Sequence, residues 1–285
     1  MNGAQALIES LKREGVTHIF GYAGATICPA VDALKDTPSI GYTLVRTEQN
    51  AGHMASGYGR VSGKVGVCMV TSGPGATNLI TGIATAYMDS IPMVAITGQV
   101  PSHLLGRDIF QEVDITGAVA PFSKHSYLVK DPNQIPRVVR EAFHIASTGR
   151  PGPVLIDIPI DVQEQQVKSF DWPETVNIRG YKPSVKGNDL QIKRVAEAIG
   201  KSKQPLICAG GGVWLADAQA ELLELAEGAG IPVVKTMMGI SIMPTNHPLN
   251  MGMIGAHGNH CANKALAKSD LLIMVGTRAA DRAII

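Results

Sequence analysis

The chain has 285 residues, a net charge of +1 and charged residues at 17% of its length. A charge so close to zero gives no electrostatic case for nucleic acid or for an anionic membrane surface, and the sequence has no uncharged apolar run of about eighteen residues that would suit a membrane span. Glycine is abundant at 31 residues, above the usual share of roughly 7%, which suits repeated tight strand-to-helix turns around a core of good size.

The chain opens on a helix in which Ala4, Leu7, Ile8 and Leu11 share one face and which Gly15 ends, with no signal or transit peptide visible. Strands are expected at Thr17–Phe20, Gly41–Arg46, Val65–Val70, Met93–Thr97, Ser126–Val129 and Val154–Ile158. Helices fill the gaps, among them Leu79 to Met88 and Ile135 to Ser147. That alternation predicts an α/β fold, a doubly wound parallel sheet covered on both faces, over residues 1–165. A polar, weakly periodic stretch with Trp172-Pro173 and Lys182-Pro183 reads as a linker at 166–187. The second unit, 188–285, opens on an amphipathic helix (Leu190, Ile192, Val195, Ala196, Ile199). Strands Pro205–Ala209, Ile231–Lys235 and Leu271–Val275 and a helix at Ala262–Ala267 follow. A Rossmann-like domain normally has more strands, so this unit is expected to be truncated and the chain to be a fragment or one half of a split enzyme.

Cys28, Cys68, Cys208 and Cys261 form no pair with metal or redox spacing, and Cys68 and Cys208 read as small core residues, which fits a reducing cytoplasm. His53 and His125 have no partner at metal-ligand spacing and read as structural histidines. Asp89-Ser90 reads as a helix end before Pro92, and Glu221, Glu224 and Glu227 read as a solvated helix face.

Glu48 falls where the strand Tyr42-Thr43-Leu44-Val45 gives way to a helix, at the carboxyl edge where open α/β sheets bind ligands. Walled in by apolar neighbours, such a carboxylate would have a raised pKa and could share a proton with a ring nitrogen. The plainer reading is an acid interacting with a helix N-terminus, and this segment alone leaves both open. The turn Thr71-Ser72-Gly73-Pro74-Gly75-Ala76-Thr77-Asn78 follows the next strand. Gly73 and Gly75 permit close approach of backbone to a flat ligand, and Pro74 stiffens the turn. It is neither a Walker loop nor a dinucleotide fingerprint. On their own, Phe110 reads as core packing and Gln111 as a surface helix residue.

Several motifs occur together in order: Phe20-Gly21-Tyr22-Ala23-Gly24-Ala25, the run 46–60, the turn 71–78, the run 89–100, Phe110-Gln111-Glu112-Val113-Asp114, Lys124-His125-Ser126-Tyr127 and Gly149-Arg150-Pro151-Gly152-Pro153-Val154. With them the chain resembles the thiamine diphosphate enzymes and, within these, the catalytic subunits of acetolactate (acetohydroxyacid) synthase, from the first helix to the last residue. The resemblance implies a pyrimidine-binding domain followed by a central domain. It implies that Glu48 hydrogen-bonds the cofactor's aminopyrimidine, favouring the imino tautomer that makes the ylid. It also implies that Gly24, Pro74 and Asn78 surround that ring, that Gln111 points into the reaction pocket, and that Ala25, Thr26 and Phe110 line it. The implied reaction decarboxylates pyruvate and transfers the two-carbon unit to a second 2-oxoacid, in branched-chain amino acid biosynthesis.

The resemblance further implies a homodimer or tetramer with a site shared between subunits, and a possible separate C-terminal or regulatory subunit. The diphosphate and Mg2+ would be held by a domain carrying a Gly-Asp-Gly motif absent here, so this chain alone is expected to be inactive. FAD is implied for the central domain, at positions matching Arg150, Gly210, Gly211, Gly212, Thr236, Met237, Met238, the segment 252–258 with His257, Arg278, Asp281 and Arg282. The plain readings there are a tight turn and a loop histidine; relatives lacking FAD share the scaffold, and some of them bind ADP or nothing at this place. Departures from the synthase pattern are Ala23, Ala25 and Thr26 in the pocket, Thr47, Ile160 and Ala279-Ala280. They keep open another thiamine-dependent lyase or transferase, such as one acting on sulfoacetaldehyde. A non-catalytic module binding a nucleotide or partner is the third reading.

Overall fold

The computed structural model describes residues 1–280, and the chain divides into two compact units, Met1–Ser184 and Val185 onward. The first unit runs α1 (Gly3–Arg13), β1 (His18–Tyr22), α2 (Cys28–Ala33), β2 (Gly41–Leu44), α3 (Glu48–Ser62), β3 (Gly66–Val70), α4 (Pro74–Asn78), α5 (Ile80–Met88), β4 (Met93–Gln99), α6 (Ile115–Val119), β5 (His125–Leu128), α7 (Ile135–Ser147), β6 (Pro153–Pro159) and α8 (Ile160–Glu164). Its strands form one sheet in the order β2-β1-β3-β4-β6-β5, every neighbouring pair parallel. The six expected strands are all present. The expected helix 79–88 is present as α5, starting at Ile80, and the turn before it carries a further short helix, α4, that ends at Asn78.

Burial explains the pattern. Every residue of β3, β4 and β6 is buried, so these strands read as unbroken apolar runs. Alternate residues then supply two cores. Met69, Ile96 and Ile156 meet Leu7 and Leu11 of α1 and Val139 and Phe143 of α7 in one cluster. Cys68, Ala95 and Leu155 meet Ala51 and Ala55 of α3 and Ile83 of α5 in the other. Asn2 starts α1 with a capping box, its Oδ1 accepting from Gln5 N at 2.9 Å while Gln5 Oε1 accepts from Asn2 N at 2.9 Å.

The stretch expected to be a linker closes over the first unit instead, as far as Ser184. Val167, Phe170, Ile178 and Tyr181 pack against the larger core. Val167 N donates to Met1 O at 3.0 Å, and Tyr181 OH donates to Thr148 O at 2.7 Å. Phe170 and Trp172 stack with 3° between their planes, and Arg13 lies 5.0 Å from the Phe170 centroid. Isolated anchors carry this segment rather than a periodic face, which is why it shows no helical or strand period.

The second unit runs α9 (Asp189–Lys201), β7 (Pro205–Ala209), α10 (Gly211–Leu215), α11 (Gln219–Ala229), β8 (Val233–Lys235), β9 (Asn250–Met253), α12 (His260–Lys268) and β10 (Leu271–Val275). Its sheet has the order β10-β7-β8-β9, again parallel. β9 is not expected from sequence: Asn250-Met251-Gly252-Met253 has no β-branched residue, Gly252 has φ +94°, and the pairing with β8 slips between Val233 and Val234. Cys68 and Cys208 are buried as expected, and Glu221, Glu224 and Glu227 are exposed. Among the described residues no helix is long and apolar enough to cross a membrane.

Ile96 is fully buried in β4 between α1 and α7. Ile96→Ala should lower unfolding free energy by about 2–5 kcal/mol, read from the shift of a urea transition. Val61, 91% exposed, serves as the control: Val61→Ala should move it by less than about 0.5 kcal/mol.

Candidate active site

In the first sheet β1 and β3 are neighbours, and the chain turns from β1 to β2 on one side and to β3 on the other. Ligands of open parallel sheets bind at the carboxyl edge beside such a switch. Glu48 leaves β2 there as the first residue of α3, and Asn78 ends α4 beyond β3. These two bridge across the end of β1: Asn78 Nδ2 donates to Glu48 Oε2 at 2.8 Å. Glu48 is half-buried and its Oε1 faces the turn, where a Cβ added to Gly75 would lie 3.3 Å from it. The carboxylate is therefore held and partly open at once, rather than enclosed by apolar neighbours. Thr47 caps α3 weakly, accepting from Asn50 N at 3.4 Å.

The turn itself is tightly constrained. Gly73 has φ +56°, and a Cβ there would come within 2.7 Å of Gln111 O. Only glycine accepts both conditions. Gln111 is no helix residue: it sits in the loop after β4 with φ +60°, a conformation that costs a non-glycine residue about 1–3 kcal/mol. Phe110 beside it is 86% exposed, which rules out the reading as core packing. Pro74, Asn78 and Ala25 are exposed and Gly24 is half-buried. Thr26 turns toward the protein, 2.9 Å from Thr71 Oγ1, accepting from Ser72 N at 2.9 Å, while Gln163 Nε2 donates to Thr26 O at 2.7 Å. Ser72 Oγ is buried without a hydrogen-bond partner.

Behind this edge lies a group the sequence reading missed. Asp157 of β6, 1% exposed, accepts from Thr97 Oγ1 at 2.6 Å and from Gln99 Nε2 at 2.9 Å. Burial pushes its carboxyl up to about 7, against the pull of the two donors, and the charge of Asp114 adds to the rise. The available signal was an acid inside the apolar run Leu155-Ile156-Asp157-Ile158, since a buried charge needs a reason.

A cavity of about 470 Å3 opens at the opposite, amino end of the sheet, lined by Glu14, His18, Tyr58, Arg140 and His144 among others. There Arg140 Nη1 donates to Glu14 Oε1 at 2.7 Å, and burial raises the Glu14 pKa in spite of that partner. None of the expected site residues lines it.

In the second unit the expected residues follow the carboxyl ends of all four strands: Arg278 after β10, Gly210-Gly211-Gly212 at the end of β7, Thr236 and Met237 after β8, and His257 after β9. A Cβ on Gly210 would meet Gly276 O at 2.5 Å and one on Gly212 would meet Gly276 Cα at 2.7 Å. These glycines are thus required by the approach of the chain after β10, and their presence alone does not call for a ligand. Met237 is 66% exposed, His257 and Arg278 are exposed, and Thr236 is half-buried. Lys235, also missed, is buried with its Nζ donating to Ile240 O at 2.8 Å, and burial lowers its pKa. In the first unit, Arg150 gives Nε to Ser90 Oγ at 2.8 Å and Nη2 to Tyr87 O at 3.1 Å. Asp281 and Arg282 lie outside the described residues. Among the described residues no three His, Cys, Asp or Glu side chains are grouped to hold a metal.

Residues 1–118 match the family model "Thiamine pyrophosphate enzyme, N-terminal TPP binding domain", and residues 192–284 match "Thiamine pyrophosphate enzyme, central domain". The chain is 51% identical over 284 residues to a probable acetolactate synthase large subunit of Methanocaldococcus jannaschii, covering 99% of this chain and 48% of that protein. It is 52% identical over 282 residues to an acetolactate synthase of Mycobacterium bovis, covering 99% of this chain and 46% of the relative. For an acetolactate synthase large subunit of Corynebacterium glutamicum the identity is 50% over 282 residues, with 99% and 45% covered. The chain thus spans about half the length of the curated relatives it matches.

The Asp157 carboxyl, about 7 when folded against an ordinary 3.8, binds its proton more tightly in the folded state. Its contribution to stability is full below about pH 4 and is lost as the pH rises through about 7. Asp157→Asn removes that titration, so urea transitions measured from pH 4 to pH 8 should fall more steeply for the wild type than for the variant. Parallel profiles would show that this carboxyl stays ionised in the folded protein.

Proposed function

The chain belongs to the thiamine pyrophosphate enzyme family, and we propose that it forms the ring-binding part of an acetolactate synthase-like carboligase, in which pyruvate loses CO2 and its two-carbon unit passes to a second 2-oxoacid. One observation carries this reading: a carboxylate fixed by Asn78 at one oxygen and, among the described residues, left without a hydrogen bond at the other, opposite Gly75, at the switch point of a parallel sheet. Relatives that carry the acetolactate synthase name, about half of whose length this chain spans, support the choice of reaction.

The residues present fit a flat heteroaromatic ring. Gly75 leaves room in front of Glu48 Oε1, and Ser72 Oγ is buried without a partner. Pro74, Asn78 and Gly24 border the same space. Thiamine diphosphate, when bound, supplies carbanion stabilisation for decarboxylation and transfer. Glu48 Oε1 would exchange a proton with a ring nitrogen, and Asn78 keeps the carboxylate in one rotamer while it does so. The strained backbone of Gln111, pressed on Gly73, aims its side chain from the loop after β4, and exposed Phe110 and Ala25 offer apolar surface to a small 2-oxoacid. We assign Mg2+ and the diphosphate to a separate diphosphate-binding domain, the one that carries the Gly-Asp-Gly motif this sequence lacks.

For the second unit we propose FAD at the carboxyl edge of its sheet. The support is the convergence there of Thr236, Met237, His257 and Arg278 from three strand ends, with exposed Met237 able to face a ring system and Arg278 a pyrophosphate. A reducing, cytoplasmic setting and a homo-oligomeric enzyme with a separate regulatory subunit complete the proposal. A second reading, another thiamine-dependent lyase or transferase, draws on Ala25 and on Ile160, which starts α8 at the carboxyl end of β6 in the first unit.

The test uses the enzyme assembled with a diphosphate-binding domain. Acetolactate should form from pyruvate, and Glu48→Gln should lower turnover about 100-fold or more, because a carboxamide does not exchange the proton. Unchanged turnover in the variant would remove Glu48 from the mechanism; product from another acceptor or donor, but no acetolactate, would favour the second reading.

A further inference from the structure

The loop 100–114 leaves β4 at the carboxyl edge and carries Phe110 and Gln111. It has no regular structure beyond one short 3-10 turn at Ser102–Leu104, yet Gln111 is held there in a strained conformation. Something must over-determine that geometry. Its near foot is tied by Asp161, which accepts from Ser102 N at 2.8 Å and from Ser102 Oγ at 2.6 Å. Its crown is tied internally by Glu112, which accepts from Gly106 N and, at 3.2 Å, from Ile109 N. Its far foot is tied by Gln99, whose Nε2 donates to Val113 O at 2.9 Å.

We propose that buried Asp157 is a positioning residue for Gln111, acting through Gln99, whose amide it locks in the one orientation that fastens Val113 to the sheet. Gln99 is 2% exposed. Its Oε1 accepts from Val100 N at 2.9 Å, and its Nε2 donates to both Asp157 Oδ2 and Val113 O, each at 2.9 Å. Turning the amide over would set its carbonyl against two acceptors and its amino group against the Val100 donor. The Val113 carbonyl and the Val100 N–H make the wrong orientation costly, the Asp157 carboxyl adds to that cost when ionised, and Thr97 holds the carboxyl in turn at 2.6 Å. The chain of contacts runs from β6 through β4 to the residue before Asp114, which caps α6 by accepting from Gly117 N at 2.9 Å. The remaining contact is with Gly73, against which Gln111 is pressed, so a loosened far foot frees Gln111 from the turn beside Glu48. The tethering of the loop follows from the fold alone; its catalytic consequence rests on the proposed role of Gln111.

Hydrogen–deuterium exchange on this chain separates the two. Asp157→Leu removes the Gln99 acceptor on β6, and Gln99→Met removes the clamp directly. Both should raise exchange of the amides in 105–113 by about tenfold or more, with β3 and β4 unchanged. Asp157→Asn keeps an acceptor oxygen for Gln99 and a nitrogen for Thr97, and should stay within about threefold of the wild type. Wild-type exchange in the loop of both disruptive variants overturns the proposal, and so does equal acceleration of loop and strands, which would mark a merely structural aspartate. In the assembled enzyme Asp157→Leu should lower kcat more than it raises KM, with Asp157→Asn restoring kcat. A loosened loop with unchanged kcat would uphold the positioning and overturn the assignment of Gln111 to the reaction.

Discussion

Glu48 and Asn78 come from helix ends that follow the strands on either side of β1, and the hydrogen bond between them spans the end of that strand. Such a bridge forms only because the turn 73–75 approaches both neighbours at backbone distance. Gly73 lies against Gln111 and Gly75 against Glu48 Oε1. Parallel strands set about 4.8 Å apart deliver their following loops to one edge, and the glycines then let three of those loops share a space that side chains would fill. The carboxylate, the amide that orients it and the strained glutamine loop all depend on that approach.

The same edge shows how a buried polar group can be put to structural use. Asp157 is costly in an apolar sheet unless its acceptors are filled. Thr97 and Gln99 fill them, and Gln99 passes the constraint on to Val113. A group that looks like a defect in the hydrophobic pattern ties the loop after β4 to the strand beside it. Lys235 repeats the theme in the second unit, where a buried ammonium fastens the turn after β8 through Ile240 O. Both lie near the carboxyl ends of central strands, where loops must be held without secondary structure of their own.

Much was legible from sequence for a simple reason. A parallel sheet buried on both faces needs apolar strands and amphipathic helices in alternation, and β3, β4 and β6 are written as continuous apolar runs. β9 escaped because Asn250-Met251-Gly252-Met253 carries no strand preference and is recruited by pairing with β8. The stretch 166–184 escaped because single anchors such as Phe170 and Tyr181 hold it. At the site, Glu48 and the glycine turn were visible as residue types at the right place in the chain order.

By itself, then, the sequence determined the order of elements, the family and the edge at which chemistry would gather, since these follow from periodicity and from motifs local in the chain. The tertiary structure alone decided what each side chain does there. It paired Asn78 with Glu48 across 30 residues and Asp157 with Gln99 across 58. It turned Thr26 into the protein, left Phe110 in the open and showed that Gly210 and Gly212 serve the backbone after β10. Contacts between residues so far apart in the chain are set by the folding of the sheet, and no local pattern records them.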